Sequence, residues 1–247
     1  MRSIWTGSLV LGLVNIPIKL FSVIEQRSIS FRLLDDKDYE PIRYQRVSEK
    51  TGQVVDWENI VKGFEVTPGK FYVLSRENIK KLKPTKSDAI QIIEFINKDQ
   101  VDEIYFNKNY YLAPKEEGRK AFFLFKKALE EAGKVAIANF VMREREHYCM
   151  IEPHGKGILI TTLFYQEEIR SMDEIAELEG AAPKLTADEM ELARLIIDKK
   201  THKSFDISKF KDEFSDNLIK ATKGKKIEQK EIKKSPNLIE ALKASVK

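Results

Sequence analysis

His147, Cys149, Glu152 and His154 come nearest to a metal-binding group in this chain, because an i, i+2 spacing puts His147 and Cys149 on one face of an expected strand. Two imidazoles, a thiolate and a carboxylate could ligate zinc, but the spacing matches no closed zinc motif. An ordinary strand followed by a turn is the expected reading, and no metal site is assigned. Asp173, Glu174 and Glu177 raise a second possibility, since on a helix Asp173 and Glu177 would share a face and could hold Mg²⁺ for a nuclease or hydrolase. Acids at that spacing are common on solvated faces. The chain has no GxxxxGK[ST], no GxGxxG and no HExxH, and its three His residues leave few general bases near neutral pH. Catalysis has no obvious seat, so a non-enzymatic protein without a cofactor is expected.

The elements that would position these groups are mostly strands. In the opening run Val14, Ile16, Ile18 and Leu20 alternate with Asn15, Pro17 and Lys19, the period of a strand with one buried and one wet face. Pro17 has no N–H and confines that strand to a sheet edge or a bulge. Flanked by one Arg and no small-residue cleavage site, the run is expected to open a β-rich core, not to be a signal peptide. Further strands are expected over Ile29–Leu34, Lys70–Leu74, Ala89–Ile96, Ile104–Leu112, Val135–Met142, His147–Glu152 and Gly157–Tyr165, with a hairpin turn at Glu49–Gly52. Strands of this number with an edge proline suggest a barrel. Lys115–Ala132 carries Phe122, Phe125 and Leu129 at helical spacing and should pack on the sheet, stopped by Gly133. Thr186 with Glu189 forms a capping box for a second helix, and a third is expected from Asp206 with Phe210, Phe214 and Leu218 on one face.

At 247 residues and 42% hydrophobic content the chain can bury a real core, and no apolar run reaches the length of a membrane span. The single Cys149 fits a reducing compartment, so a cytoplasmic location is expected. The net charge of +4 is unevenly spread: residues 221–247 hold eight Lys against three Glu, leaving 35 basic and 36 acidic side chains in residues 1–220. From Thr222 the composition reads as a solvated segment, and Ser235 and Pro236 open a short amphipathic helix that would be marginal alone.

Several motifs in fixed order carry a resemblance. The opening Arg, Trp and Gly with Gly12-Leu13-Val14-Asn15-Ile16-Pro17 is followed by Arg43-Tyr44-Gln45-Arg46-Val47, Asn59 to Glu65, Tyr110 to Pro114, and Val135-Ala136-Ile137 with Arg143 and Arg145 downstream. Over roughly Met1 to Lys220 the chain closely resembles the bacterial Ku proteins of non-homologous end joining. The resemblance implies a mixed, mainly β fold: a Ku-type β-barrel core with packed helices and a helical C-terminal region, in a ring-forming homodimer. The divisions expected on it are 1–200 for the barrel core with dimer and bridge elements, 201–222 for a helical region and 223–247 for the Lys-rich tail. Many Ku-like chains carry a CxxCG knuckle where this one reads Ser48-Glu49-Lys50-Thr51-Gly52, so the hairpin here should hold without zinc.

It also implies sequence-independent binding of double-stranded DNA ends, bridging of those ends, and recruitment and stimulation of an ATP-dependent ligase of the ligase D type, in a cytoplasmic, nucleoid-associated protein. Candidate DNA contacts are Lys19, Arg43, Arg46, Lys62, Lys108, Arg143 and Arg145, directed at phosphate and sugar and not at base edges. Taken separately each could be a solvated surface charge, and the resemblance favours Arg43, Arg46, Arg143 and Arg145. In the tail, Lys223, Lys225 and Lys226 could hold nearby duplex, and Leu238, Ile239 and Leu242 could dock on the ligase or another copy. Trp5, Phe31, Tyr44, Phe64, Tyr110, Tyr111 and Phe164 are expected in core packing, since a paired duplex offers little to stack on. The alternative is a protein-interaction module without DNA binding.

Overall fold

Period two in the opening run becomes the hairpin of β1 (Trp5–Leu11) and β2 (Val14–Ser22), with Ile16, Ile18 and Leu20 buried and Asn15 and Lys19 exposed. The computed structural model describes residues 1–25, 29–83, 87–223 and 241–242. Pro17 sits where the β2 ladder to the next strand has run out. That ladder begins at Ile18 opposite Pro114, so the ring nitrogen meets no acceptor row, while the Pro17 carbonyl accepts from the Lys115 N–H at 2.9 Å. Gly118 closes over the same spot, where an added Cβ would lie 2.8 Å from the Pro17 oxygen.

Residues 23–88 then leave the sheet as a long excursion. It holds isolated bridges at Leu34–Pro41 and Val47–Val54, the ribbon of β3 (Lys62–Thr67) and β4 (Lys70–Leu74), and α1 (Arg76–Leu82). The strand expected over Ile29–Leu34 does not form, because no segment runs alongside it beyond the single bridge at Leu34. The Ser48–Gly52 turn is closed by backbone bonds, the Ser48 N–H donating to Gln53 and the Gly52 N–H to Ser48, both at 2.8 Å, with the Thr51 hydroxyl accepting from the Gln53 N–H and Gly52 left-handed at φ 67°.

The chain returns as β5 (Ala89–Ile96), continues through β6 (Phe106–Pro114) and α2 (Arg119–Ala132), and ends the sheet with β7 (Val135–Met142), β8 (Arg145–His154) and β9 (Gly157–Leu163). The strand order β1-β2-β6-β9-β8-β7-β5 closes into a barrel through a parallel seam that pairs Ser8 with Ala89. β6 starts two residues later than expected because Glu103–Tyr105 forms a 3-10 turn capped by Asp102.

Helix α2 packs against β2, β6 and β8, and Phe125 meets Phe95 of β5 at 6.5 Å between ring centroids. These strands lie on different sides of the closed sheet, so the helix covers one end of the barrel. Phe122, Phe125 and Leu129 join the interior cluster, and Gly133 at φ 62° ends the helix in the left-handed cap. Phe122 is fully buried, so Phe122→Ala should cost about 3–5 kcal/mol of unfolding free energy, read as a lower urea midpoint.

Residues 172–247 form a separate compact unit from Met1–Ser171. Its α3 (Ala187–Lys200) begins at the expected box: the Glu189 N–H donates to the Thr186 hydroxyl and the Thr186 N–H to Glu189 Oε2. The last described helix, α4 (Glu213–Thr222), starts later than expected. Asp206 caps only a 3-10 turn and Asp212 caps the helix, which leaves Phe210 outside it. Asp173 and Glu177 also lose their common helical face, since they sit in two short 3-10 turns, Met172–Glu174 and Ala176–Leu178. No helix among the described residues is long and apolar enough to cross a membrane.

Candidate nucleic-acid interface

The β7–β8 connection is the tightest a hairpin allows. Met142 pairs with Arg145, and the two residues between them, Arg143 at φ 52° and Glu144 at φ 68°, are both left-handed. Asn-Gly is the sequence that suits such a turn, and an L side chain in that region costs roughly 1–2 kcal/mol. The turn nevertheless holds an arginine at its tip. The Glu144 carboxylate pairs with the Lys83 ammonium, an exposed bridge of small energy. Glu144→Gly should therefore raise unfolding free energy by about 1 kcal/mol in a denaturant titration while leaving Arg143 in place.

Beside the turn is a hollow of about 240 Å³. Lys108 and Tyr110 of β6, Arg143, Arg145 and His147 of β8, and Thr162 of β9 line it. The Thr162 hydroxyl fixes β6 by accepting from the Lys108 N–H at 3.1 Å. Arg145 reaches Glu168 Oε1 at 2.9 Å and lies 5.8 Å from the centre of the Tyr165 ring. Lys108 and Arg143 have no carboxylate partner among the described residues. The field is accordingly positive. Burial pushes the Tyr110 phenol up and nearby Arg143 pulls it partly back; burial and then Arg145 hold the His147 imidazole below its ordinary value.

Strand register fixes which end of the barrel this is. The start of β6, the end of β7, the start of β8 and the end of β9 all meet there, whereas α2 joins the far ends of β6 and β7. β2 ends and β5 begins at the hollow's end too: Ser22 pairs with Tyr110, and Gln91 pairs with Asn139 near the end of β7. The excursion thus leaves and returns beside the hollow, and Lys83 near its return is the residue that holds Glu144.

The sequence candidates divide accordingly. Lys108, Arg143 and Arg145 are brought together. Lys19 stands exposed on β2 between Thr6 and Ala113, outside the hollow. Arg43, Arg46 and Lys62 lie in the excursion, with Arg46 4.7 Å from the Trp57 ring centre and Lys62 opposite Leu74. Lys223 ends α4 in the other unit, and Leu242 is half-buried in a helical turn; Lys225, Lys226, Leu238 and Ile239 fall outside the described residues. Sequence reasoning did not place Tyr110, His147 and Thr162 with these cations. The usable signal was the Arg-x-Arg at a two-residue hairpin, followed two positions on by His147.

The zinc possibility does not gain from the geometry. Cys149 is fully buried and its thiol is pushed far up by burial, Glu152 pairs with Lys98 at 2.7 Å, and His154 stacks on Tyr111 at the opposite end of the barrel from His147. Among the described residues no group of three or more His, Cys, Asp or Glu is placed to hold a metal. The aromatic expectation needs correction. Tyr110 belongs to the core and Trp5 packs against that core, but Phe31, Tyr44 and Phe64 are exposed, because the excursion has no core of its own to receive them, and Tyr111 and Phe164 are exposed on the barrel.

A closed, mainly β barrel with α2 packed across one end and Lys108, Arg143 and Arg145 gathered at the other marks the class of protein. The chain belongs to the Ku family: residues 10–193 match the family described as the Ku70/Ku80 beta-barrel domain. The "Non-homologous end joining protein Ku" of Archaeoglobus fulgidus is 35% identical over 251 residues, covering 100% of this chain and 98% of that one. The proteins of the same name from Heliobacterium modesticaldum and Bacillus subtilis are 35% and 33% identical, each over 100% of this chain and over 91% and 82% of their own lengths. The SPOC domain of human PHD-finger protein 3 aligns with 66% of this chain at 14% identity and a TM-score of 0.31, too slight a likeness to bear on the argument.

Proposed function

We propose that this chain is a non-enzymatic factor of non-homologous end joining that binds double-stranded DNA ends without regard to sequence, as a homodimeric ring. The observation that carries the reading is the placement of Lys108, Arg143 and Arg145 at the barrel end from which the excursion of residues 23–88 departs and to which it returns. A duplex lying against that end would meet cations from the barrel and, from the excursion, Arg43, Arg46 and Lys62. Contacts of this kind go to phosphates and suit a protein that must accept any broken end. Lys19 and the tail residues Lys223, Lys225 and Lys226 extend the basic surface in this reading.

Exposed apolar surface supports the ring. A two-stranded ribbon is marginal in water, yet β3 and β4 expose Phe64 and Tyr72 on one face and Phe71 and Val73 on the other, with Val66 exposed at the bulge. A second copy that buries these residues by two-fold symmetry would close the excursion around DNA. Recruitment of an ATP-dependent ligase of the ligase D type is assigned to the tail, whose Leu238, Ile239 and Leu242 would form the docking face. A cytoplasmic, nucleoid-associated location accords with this role.

The test compares a short linear duplex with the same sequence as a closed covalent circle, at two salt concentrations. Salt-sensitive binding to the linear form alone establishes end loading by a ring. Equal binding to both means side-on contacts, and binding to neither returns the chain to a protein-interaction module.

A further inference from the structure

The cations of the hollow surround a concavity, and an imidazole stands inside it. A phosphodiester chain running past a protein needs only a flat basic surface. A hollow walled by β6, β8, β9 and the β7–β8 turn suits a group that projects inward. Lys108 brings an ammonium and Arg143 a guanidinium fork, neither neutralised by a carboxylate among the described residues; Arg145 brings a guanidinium already shared with Glu168. His147, half-buried with its ring 5.7 Å from that of Phe140, completes the wall.

We infer that this hollow seats one phosphate group, and that His147 takes up a proton as the phosphate enters. The inference rests on the DNA-binding reading above and deepens it. The groups facing His147 set the sign. Arg145 on its own strand and Lys108 on β6 disfavour its charge, Glu168 beyond β9 favours it, and β7 contributes the uncharged Phe140 ring and the Met142 backbone. With the hollow empty the cations and burial win, and the imidazole is neutral near pH 7. A phosphate anion among the same groups reverses the balance and lifts the imidazole. By linkage, affinity then rises as pH falls through the interval between the free and bound values, by at most about tenfold per pH unit for one proton.

Phosphate could reach the hollow from within a strand, from a strand terminus or from solution. The experiment follows the three histidines, His147, His154 and His202, by NMR in the side-chain-labelled full chain. Their titrations are recorded alone, with a blunt duplex carrying 5′-phosphates, with the same duplex carrying 5′-hydroxyls, and with inorganic phosphate. The expected result is an upward move of the His147 midpoint by about one pH unit, a tenfold change in proton affinity, with His154 and His202 unmoved. A move with the phosphorylated duplex alone assigns the seat to a terminal phosphate; equal moves with both duplexes assign it to an internal one. Lys108→Gln with Arg143→Gln should abolish the move, and His147→Gln should flatten the affinity between pH 6 and 8. Duplex bound by gel shift with His147 unmoved overturns the inference. If inorganic phosphate moves His147 while neither duplex binds, the seat stands and the DNA reading falls.

Discussion

Reversing the charge of the hairpin tip, Arg143→Glu with Arg145→Glu, should weaken duplex binding on the order of a hundredfold, and by the same factor for every sequence tested. Each lost contact removes a charge-assisted bond to phosphate and one set of released counterions. The slope of log K against log salt should flatten by about 1.8 for each subunit of the ring that contacts the duplex, at about 0.9 per contact. Fluorescence anisotropy over a salt series reads both quantities. The substitutions lie at an exposed turn and at the first residue of β8, while the buried core from Cys149 to Ile151 is untouched, so the thermal midpoint should change little. Unchanged affinity and slope would remove both residues from the interface. A loss confined to some sequences would mean base readout.

The second large effect concerns assembly. Phe64 and Phe71 are 65% and 60% exposed and lie on opposite faces of the β3–β4 ribbon. If a second copy covers the ribbon, burying each phenylalanine contributes about 1.5–3 kcal/mol, and symmetry counts each of them twice. Phe64→Asp with Phe71→Asp should then raise the dimer dissociation constant by at least a factor on the order of a thousand. Sedimentation should show a 28.6 kDa monomer for the variant and a dimer for the unaltered chain. The monomer should keep its barrel, because the ribbon contributes nothing to the interior cluster, and should lose its preference for linear over circular DNA. A variant that still sediments as a dimer would place the subunit contact elsewhere.

The barrel was more legible in the sequence than either of these surfaces. Ala89–Ile96 and Val135–Met142 were delimited to the residue, because their apolar positions answer to this chain's own core and turn residues bound them. Ile29–Leu34 has a similar composition and forms no strand. Phe31, Leu33 and Leu34 are exposed here, and hydrophobicity does not say whose surface will bury it. The site was read in pieces for a related reason. Lys108 and Arg143 lie far apart in sequence, and what joins them is the register that sets Tyr110 opposite Ile160 and Ile151 opposite the same residue. Register is decided across the sheet, beyond the reach of a local pattern. His147 was considered for zinc because residue type and spacing do not reveal a guanidinium folded beside it.

The barrel's parallel seam has a consequence for the order in which the molecule assembles. β1 and β5 share three register pairs, against seven between β1 and β2, and the whole excursion of residues 23–88 lies between the two seam strands. Closing so long a loop spends chain entropy before the few seam bonds return anything. The hairpins β1–β2 and β7–β8 can form early and locally, whereas the cylinder itself is rolled shut late. Breathing should follow the same line in reverse, with the amides of Ser8 to Val10 toward β5 among the first in the barrel to exchange with solvent. The Lys83–Glu144 pair, which ties the return of the excursion to the β7–β8 turn, acts in a small way as a clasp on the cylinder.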